Sequence, residues 1–389
     1  MGNLLIKLFI KHPDDTGNEA VRQRYGMLGG AVGIALNILL FCIKLCAGLL
    51  SASVAIVADA LNNLSDALSS VITLIGFKMS GKPADRQHPF GHGRIEYISA
   101  LFVSIAILYM GIELVRSSFD KIMNAEPIVV TAASVFILIV SILLKTWMYF
   151  FNRKIGKKIA SQSMAATAKD SLSDSIATAA VLVGVLISYF TGYTIDGYIG
   201  LIVSAFILWT GYTTIRDSLT PLLGQAPDPE LVKEIEQLVL SHEGIIGMHD
   251  LIIHNYGPTR FMLSLHAEVS ADENVIQMHD TIDLIEKELQ SRFKCDAVIH
   301  MDPIETNNSL INQTKLFVED VIHSISSELS LHDFRMVTGP THTNLIFDLV
   351  VPFDFKINDD DLKRMIQDKV AARDSFYCTV INIDKNYIG

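Results

Sequence analysis

Two apolar stretches of the sequence each hold a pair of oxygen-bearing side chains four residues apart. Asn62 and Asp66 form one pair, and Asp170 and Asp174 form the other. Residues four apart lie on one face of an α-helix, so each pair presents its side chains together. An ionised carboxylate in hydrocarbon is costly, and it therefore faces a bundle interior and marks an ion pathway. Three carboxylates and one amide oxygen suit a hard divalent cation better than a soft one.

A simpler interpretation is that these acids cap helix ends or face a vestibule beside a loop. Two pairs with the same spacing, without a Lys or Arg on the same helix face, argue against it. Asp59 lies one turn outward from Asn62, and we interpret it as a vestibule acid rather than a ligand. Lys44 and Lys145 lie near the ends of apolar stretches, so we expect their ammonium groups to reach the lipid headgroups.

Composition identifies the elements that must position these pairs. Half of the 389 residues are apolar and only 19% are charged, with a mean hydropathy of +0.36, which indicates a membrane protein. Six stretches approach the ~20 apolar residues that a membrane-spanning helix needs. They cover residues 27–50, 53–77, 95–117, 128–151, 165–190 and 195–215. The net charge of −11 argues against nucleic acid as a partner.

The Lys and Arg residues between these stretches predict the orientation of the chain. The N-terminal segment, including Arg22, and the second-to-third and fourth-to-fifth connections carry four each. The connections on the opposite side carry only Arg116 and Lys121. Basic residues are enriched in cytoplasmic connections, so we expect a multi-pass protein of the cell membrane with both termini in the cytoplasm.

The connection between the second and third stretches holds Asp85, His88 and His92. An Asp-x-x-His-x-x-x-His arrangement in a short loop is a moderate metal-binding signal. The alternative is a solvated loop whose histidines bind phosphate or lipid headgroups.

After Pro221 the pattern changes to that of a soluble domain. It predicts a helix, two strands, a helix and a strand at residues 228–242, 246–256, 260–270, 274–293 and 296–302. This order fits a small ferredoxin-like α+β domain.

Four histidines and one acid of this domain are candidate metal ligands, and they are His249, His266, His279, His300 and Asp302. We expect an antiparallel sheet to bring them together around one or two metal ions. The alternative is that each is an ordinary polar surface residue.

Residues beyond 303 repeat this pattern about 82 positions later. His249-Asp250 is echoed by His332-Asp333, whereas Asp348 and Asn382 replace two of the histidines. We interpret the repeat as a second, degenerate ferredoxin-like domain kept for packing or dimerisation, with a weak regulatory metal site as the alternative. The predicted domains are an N-terminal segment, a transport domain, a metal-binding domain and the degenerate copy, at residues 1–26, 27–220, 221–305 and 306–389.

The two i,i+4 pairs resemble the ligand positions of the cation diffusion facilitator family, and the resemblance covers about residues 20–303. It implies six transmembrane helices, metal/proton antiport, a second metal site at the Asp85 loop and domain ligands shared across a homodimer. Zinc-transporting members have histidine in at least one leading position, where this chain has Asn62 and Asp170. It therefore resembles the manganese-transporting branch, in agreement with the preference of manganese for oxygen ligands. Relatives interlock their dimer by pairing a basic residue, for which Arg94 is the candidate, with an acid. That acid is missing near Gly224, and Asp217 or Asp228 are the alternatives.

These observations predict proton-driven export of a divalent metal ion, with manganese first and zinc, iron, cobalt and cadmium as alternatives. We expect no prosthetic group, and zinc is a possible regulatory metal. A nucleophile–base pair or phosphate loop is not evident, which argues against an enzyme. A passive metal channel and a membrane-anchored metal sensor without transport are the rival classes.

Overall fold

The structure is a computed structural model that describes residues 2–50, 54–124, 132–191 and 196–386. The chain forms two compact units. One comprises Met1–Gln225 with Asn255–Arg260, and the other comprises Ala226–His254 with Phe261–Gly389.

In its described residues, the first unit contains one short helix followed by six long helices. They are α1 (Gly2–Phe9), α2 (Glu19–Leu50), α3 (Val54–Ser80), α4 (Ile95–Met123), α5 (Ala132–Lys158), α6 (Gln162–Thr191) and α7 (Asp196–Leu223). The long helices correspond to the six apolar stretches of the sequence. Among the described residues, four of them (α2, α4, α5 and α7) are long and apolar enough to cross a membrane. The other two, α3 and α6, carry the predicted ligand pairs.

Large apolar side chains on these helices point away from the protein interior. Phe102, Tyr109, Phe136, Ile202 and Trp209 are all exposed. Soluble proteins rarely expose apolar surface on this scale, whereas lipid tails accept it. The helical unit therefore has the surface of a membrane domain.

Close helix packing brings the acid-bearing helices together. The strongest pairings are α2 with α3, α4 with α7 and α5 with α6. A Cβ atom on Gly30 of α2 would lie only 2.8 Å from the Cβ of Leu74 on α3, so the glycine permits the close approach. Helix α3 also contacts α6, where the buried hydroxyls of Thr73 and Thr167 are 2.8 Å apart.

A buried ion pair joins α2 to α4. Arg22 Nη2 donates to Glu96 Oε1 at 2.9 Å, and Arg22 Nε donates to the carbonyl of Ile159 at 2.9 Å. Glu96 is fully buried and Arg22 is only 7% exposed. Arg22 therefore connects α2, α4 and the segment between α5 and α6. This structural role is separate from its contribution to the membrane orientation of the chain.

The second unit contains the helix–strand–strand–helix–strand order twice, as the sequence predicts. The first copy consists of α8 (Pro229–Leu240), β1 (Ile245–Asn255), β2 (Phe261–Ser270), α9 (Val275–Phe293) and β3 (Asp296–Ile304). The second consists of α10 (Ser309–His323), β4 (Ser330–Thr338), β5 (Thr343–Pro352), α11 (Asp359–Arg373) and β6 (Tyr377–Asn386). The sheets have the orders β1-β2-β3 and β4-β5-β6.

The expectation of an antiparallel sheet is wrong for part of each sheet. Strands β2 and β3 pair in parallel, as do β5 and β6, whereas β4 and β5 are antiparallel. The reason is that a helix intervenes between the two paired strands in each copy, and such a crossover connection joins parallel neighbours.

Alternation along the strands separates an apolar face from a polar face. Leu263 and Leu265 of β2 are buried in one core with Ile282 and Ile285 of α9. Successive strand residues point to opposite faces, so His266 lies on the face away from this core. In the second copy, Leu345, Phe347 and Leu349 of β5 are buried in a core with residues of α10 and α11. Each sheet thus presents its polar strand residues on the face that its helices do not cover.

We expect Arg22→Ala to destabilise the helical unit by about 3–5 kcal/mol, because it leaves the Glu96 carboxylate buried without its partner. The double variant Arg22→Met/Glu96→Leu should lose less, because it removes both charges. Thermal unfolding of the detergent-solubilised protein measures both effects. The exposed Arg24 is the matched control, and an equal loss in Arg24→Ala would contradict the assignment.

Candidate metal centres

A cluster of buried charges lies between α3, α5 and α6. Asp66 of α3 and Asp170 and Asp174 of α6 are each less than one-tenth exposed. Lys145 of α5 is also buried, and its Nζ donates to Asp66 Oδ2 at 2.7 Å and to Asp174 Oδ2 at 2.6 Å. The two carboxylates therefore already bind one cation, which is the ammonium group of the protein itself.

The prediction that Lys44 and Lys145 reach the lipid headgroups is wrong, because both side chains are buried. Lys145 points inward because α5 packs along α6, and two carboxylates accept its hydrogen bonds there. The absence of a Lys or Arg on the ligand-bearing faces of the two stretches did not exclude a lysine from a third helix.

Asp170 and Asn62 differ in their surroundings. Asp170 Oδ1 is buried and accepts no hydrogen bond from the described residues, and a buried carboxylate oxygen without a partner is costly unless a cation or proton compensates it. Asn62 lies one helical turn from Asp66 but is exposed. The structure thus brings Asp66 and Asp174 together and buries Asp170 on the same helix as Asp174. The predicted role of Asn62 stays a prediction, and the side chain of Asp59 lies outside the described residues.

The loop between α3 and α4 brings Asp85, His88 and His92 together. One potential ligand atom from each lies within 4.8 Å of the others. His88 Nδ1 is 3.3 Å from Asp85 Oδ1, and His92 Nε2 is 3.5 Å from Asp85 Oδ2. The backbone N–H of His88 and the ammonium group of Lys82 donate to the Asp85 carboxylate and lower its pKa below the ordinary value. The acid is therefore ionised near neutral pH, as a metal ligand must be.

In the second unit, His249, His266 and Asp302 converge on the polar face of the first sheet. His266 Nδ1 lies 2.8 Å and His249 Nε2 lies 3.2 Å from the same oxygen, Oδ2 of Asp302. The parallel pairing aligns His266 with His300 and Glu268 with Asp302. Two imidazole nitrogens and one carboxylate oxygen this close together can bind a small metal ion. Three metal–ligand bonds would then replace the contacts between the side chains.

His300 and His279 are less closely associated with this group. His300 is exposed, although its Nε2 lies 3.2 Å from Asp302 Oδ1. His279 is exposed on α9 and lies 3.8 Å from Asp283. Within the described part of the chain, His279 does not join the cluster formed by His249 and Asp302.

Sequence reasoning missed two residues beside this cluster. Asp250 and His332 form a second group of potential ligands with His249, again within 4.8 Å. Burial raises the pKa of the Asp250 carboxyl above its ordinary value, while the neighbouring His332 and His249 oppose this effect. The repeated His-Asp dipeptide is the sequence signal for this group, although repetition by itself indicates a common architecture rather than a shared site.

Two family descriptions match most of this chain. Residues 31–223 match the cation efflux transmembrane domain. Residues 227–304 match the cytoplasmic domain of cation efflux proteins. The first match contains the Asp66–Asp170–Asp174 cluster and the Asp85 loop, and the second contains the His249–His266–Asp302 group.

This chain is similar to several known proteins over nearly their full lengths. An uncharacterised transporter of Methanocaldococcus jannaschii is 33% identical over 270 residues, which are 69% of this chain and 95% of that protein. The manganese efflux system protein MneS of Bacillus subtilis is 29% identical over 72% of this chain and 96% of its own length. The cation-efflux pump FieF of Klebsiella pneumoniae is 29% identical over 73% and 95%, respectively.

The two matched domains, the near-complete coverage of these relatives and the apolar helices agree with one another. The chain belongs to the cation efflux, or cation diffusion facilitator, family, and it is a membrane transporter for divalent cations rather than an enzyme.

Proposed function

We propose that this protein exports a divalent metal ion, with manganese as the first choice, from the cytoplasm in exchange for protons. The observation that carries the proposal is the buried group of Asp66, Asp170 and Asp174, of which Asp66 and Asp174 contact Lys145. It provides several carboxylate oxygens away from solvent, at the place where α3 and α6 meet in the bundle. The orientation with both termini in the cytoplasm rests on the distribution of Lys and Arg.

Lys145 gives this site a built-in competitor. A metal ion that binds Asp66 Oδ2 and Asp174 Oδ2 must displace the ammonium group from both oxygens, because the ammonium lies within 2.7 Å of each. In the proposed cycle, the ammonium stabilises the metal-free site and moves aside when the metal ion binds. The lysine thus prevents two neighbouring carboxylates from being left buried without a cation.

Competition for the same oxygens supports proton exchange at this site. One divalent ion and two protons carry the same charge, so their exchange leaves the net charge of the site unchanged. Metal and protons compete because they use the same oxygens. In the proposed mechanism of alternating access, protons from outside therefore release the metal ion, and an inward proton gradient drives its export.

Manganese is favoured by the ligand chemistry. Asp66, Asp170, Asp174 and the predicted ligand Asn62 offer only oxygen, and carboxylate and carbonyl oxygen suit manganese, whereas imidazole suits zinc. One relative carries the name of a manganese efflux system protein, which supports the same choice. Zinc, iron, cobalt and cadmium remain the alternatives that a flux measurement must compare.

We propose in addition that the domain containing His249, His266 and Asp302 senses cytoplasmic metal and favours a transport-competent homodimer. The convergence of the two imidazoles on Asp302 supports metal binding. Metal binding shifts a conformational equilibrium only if the ion binds one state better than the other. Ligands on different strands allow such a difference, because their separation can change between the two states.

Metal-selective flux in proteoliposomes under a controlled pH gradient tests the whole proposal. We expect manganese transport that increases with an opposing proton gradient. Flux that does not respond to the gradient would favour a passive channel, and absence of flux for every divalent metal would favour a sensor.

We expect Asp66→Ala and Asp174→Ala each to reduce metal flux to background, because each removes a charged ligand and leaves Lys145 with a single partner. Flux in proteoliposomes is the measurement, with membrane insertion verified for each variant. Glu113→Ala is the matched control, since Glu113 is an exposed acid on α4 that pairs with Arg116. Wild-type flux in either aspartate variant would remove this cluster from the mechanism.

Lys145→Met should change metal binding and stability in opposite directions. Loss of the competing ammonium should strengthen Mn²⁺ binding by about tenfold or more, which corresponds to about 1.4 kcal/mol. The metal-free protein should be less stable, because two carboxylates lose their buried partner, and Mn²⁺ should restore more stability than in the wild type. Thermal unfolding in detergent during a Mn²⁺ titration measures both effects.

Lys169→Met is the control for this experiment, because Lys169 lies on α6 but pairs with Asp217 at 3.1 Å outside the cluster. If Lys145→Met weakens Mn²⁺ binding, the lysine supports the metal site instead of competing with the ion.

The ligand set also predicts selectivity. Asn62→His/Asp170→His should shift transport from manganese toward zinc, because two imidazoles and two carboxylates suit tetrahedral zinc. The ratio of the two fluxes in inverted vesicles is the measurement. Asn62→Gln/Asp170→Glu keeps oxygen ligands and should keep the wild-type preference. An active histidine variant with an unchanged flux ratio would show that these positions do not set selectivity.

A further inference from the structure

The second repeat places a histidine against the metal-ligand cluster of the first. His332 of β4 stacks on His249 of β1 with the ring centroids 4.4 Å apart and the planes at 27°. His332 Nε2 lies 3.7 Å from Asp250 Oδ1. These three residues offer two nitrogens and one oxygen within 4.8 Å of one another. His332 lies beyond residue 304, where the second family match ends.

The polar atoms of this group are poorly satisfied by the protein itself. The side chains of His249 and His332 are only 7% and 13% exposed, and that of Asp250 is 29% exposed. Within the described residues, the Nδ1 atoms of both histidines are buried and make no hydrogen bond, although His249 Nδ1 lies 3.5 Å from Glu268 Oε1. Buried polar atoms normally have partners, so the unsatisfied Nδ1 of His332, in the ring stacked on His249, points to an absent ligand.

The backbone of the first repeat presents Asp250 toward this position. Asp250 has a φ of +51°, in the left-handed region, although it lies within β1. A non-glycine residue with positive φ is uncommon and is strained in regular strand structure. Here the conformation interrupts the regular alternation of the strand, so that adjacent His249 and Asp250 both approach His332.

The equivalent residue of the second repeat has the same backbone conformation, but its carboxylate is already paired. Asp333 has a φ of +52°, yet its carboxylate pairs with the guanidinium of Arg335. Asp384 provides a further acid near His332, with its Oδ2 3.6 Å from His332 Nε2. The second repeat therefore contributes an imidazole and a nearby acid, while Asp250 of the first repeat is the carboxylate that has a ligand atom within 4.8 Å of both histidines.

We propose that His249, Asp250 and His332 bind one divalent transition-metal ion that joins the two repeats of a single chain. Two imidazoles and one carboxylate suit zinc or cobalt, and water can complete the coordination. His249 also belongs to the group with His266 and Asp302, so occupancy of this site changes the ligands available to that group. The degenerate repeat thus has a metal-binding role besides packing.

Co²⁺ binding to the full-length protein in detergent tests this proposal without measuring transport. We expect His332→Ala to weaken binding of one Co²⁺ ion by about tenfold or more and to reduce the visible absorption of nitrogen-coordinated Co²⁺. Asp250→Asn should have a similar effect. His342→Ala is the matched control, since His342 is an exposed histidine of the same repeat, and it should bind Co²⁺ as the wild type does.

A second measurement separates a metal ligand from a packing residue. Thermal unfolding with and without Zn²⁺ should show that His332→Ala loses metal-dependent stabilisation and retains a folded second unit by circular dichroism. Unchanged Co²⁺ stoichiometry and absorption in His332→Ala would overturn the proposal. A loss of stability that is equal with and without Zn²⁺ would also overturn it, because His332 would then act only by packing against Asp250 and Asp384.

Discussion

The cost of burying carboxylates among apolar helices is the constraint on which the transport unit depends. Removing an ion from water costs several kcal/mol even after the protein relaxes, and Asp66, Asp170 and Asp174 are all buried. Lys145 offsets part of this cost by donating to two of them. Within the described residues, the buried Oδ1 of Asp170 accepts no hydrogen bond, so part of the cost is not offset. In the proposed mechanism, protons, the Lys145 ammonium group and the metal ion therefore compete for this site.

The sequence predicted the acids of this site but not its cation. Spacing alone places Asp170 and Asp174 on one helix face, because the helical period relates residues four apart. It cannot say which neighbouring helix faces them, since that depends on packing between α5 and α6. A lysine near the end of an apolar stretch usually extends to the interface, but in this bundle Lys145 is buried and donates to two carboxylates.

Secondary structure and the internal repeat of the second unit were also predictable, because both depend on local periodicity. The convergence of His249 and His332 was not, since it depends on how two separately folded repeats meet. The left-handed Asp250 adds to the difficulty, because strict alternation would direct adjacent residues to opposite faces. Two of the proposed ligands, Asp250 and His332, therefore became apparent only from the tertiary structure.

Lys145 also bears on selectivity in the proposed mechanism. A monovalent ion that displaced the ammonium from Asp66 and Asp174 would replace one unit charge with another and would gain little electrostatic energy. A divalent ion supplies twice the charge to the same oxygens, and Coulomb energy scales with the charge product. In this proposal the ammonium therefore disfavours sodium and potassium relative to divalent ions. Selection among divalent ions then depends on ligand type and geometry. Lys145 thus discriminates by charge, whereas the oxygen ligands discriminate between divalent metals.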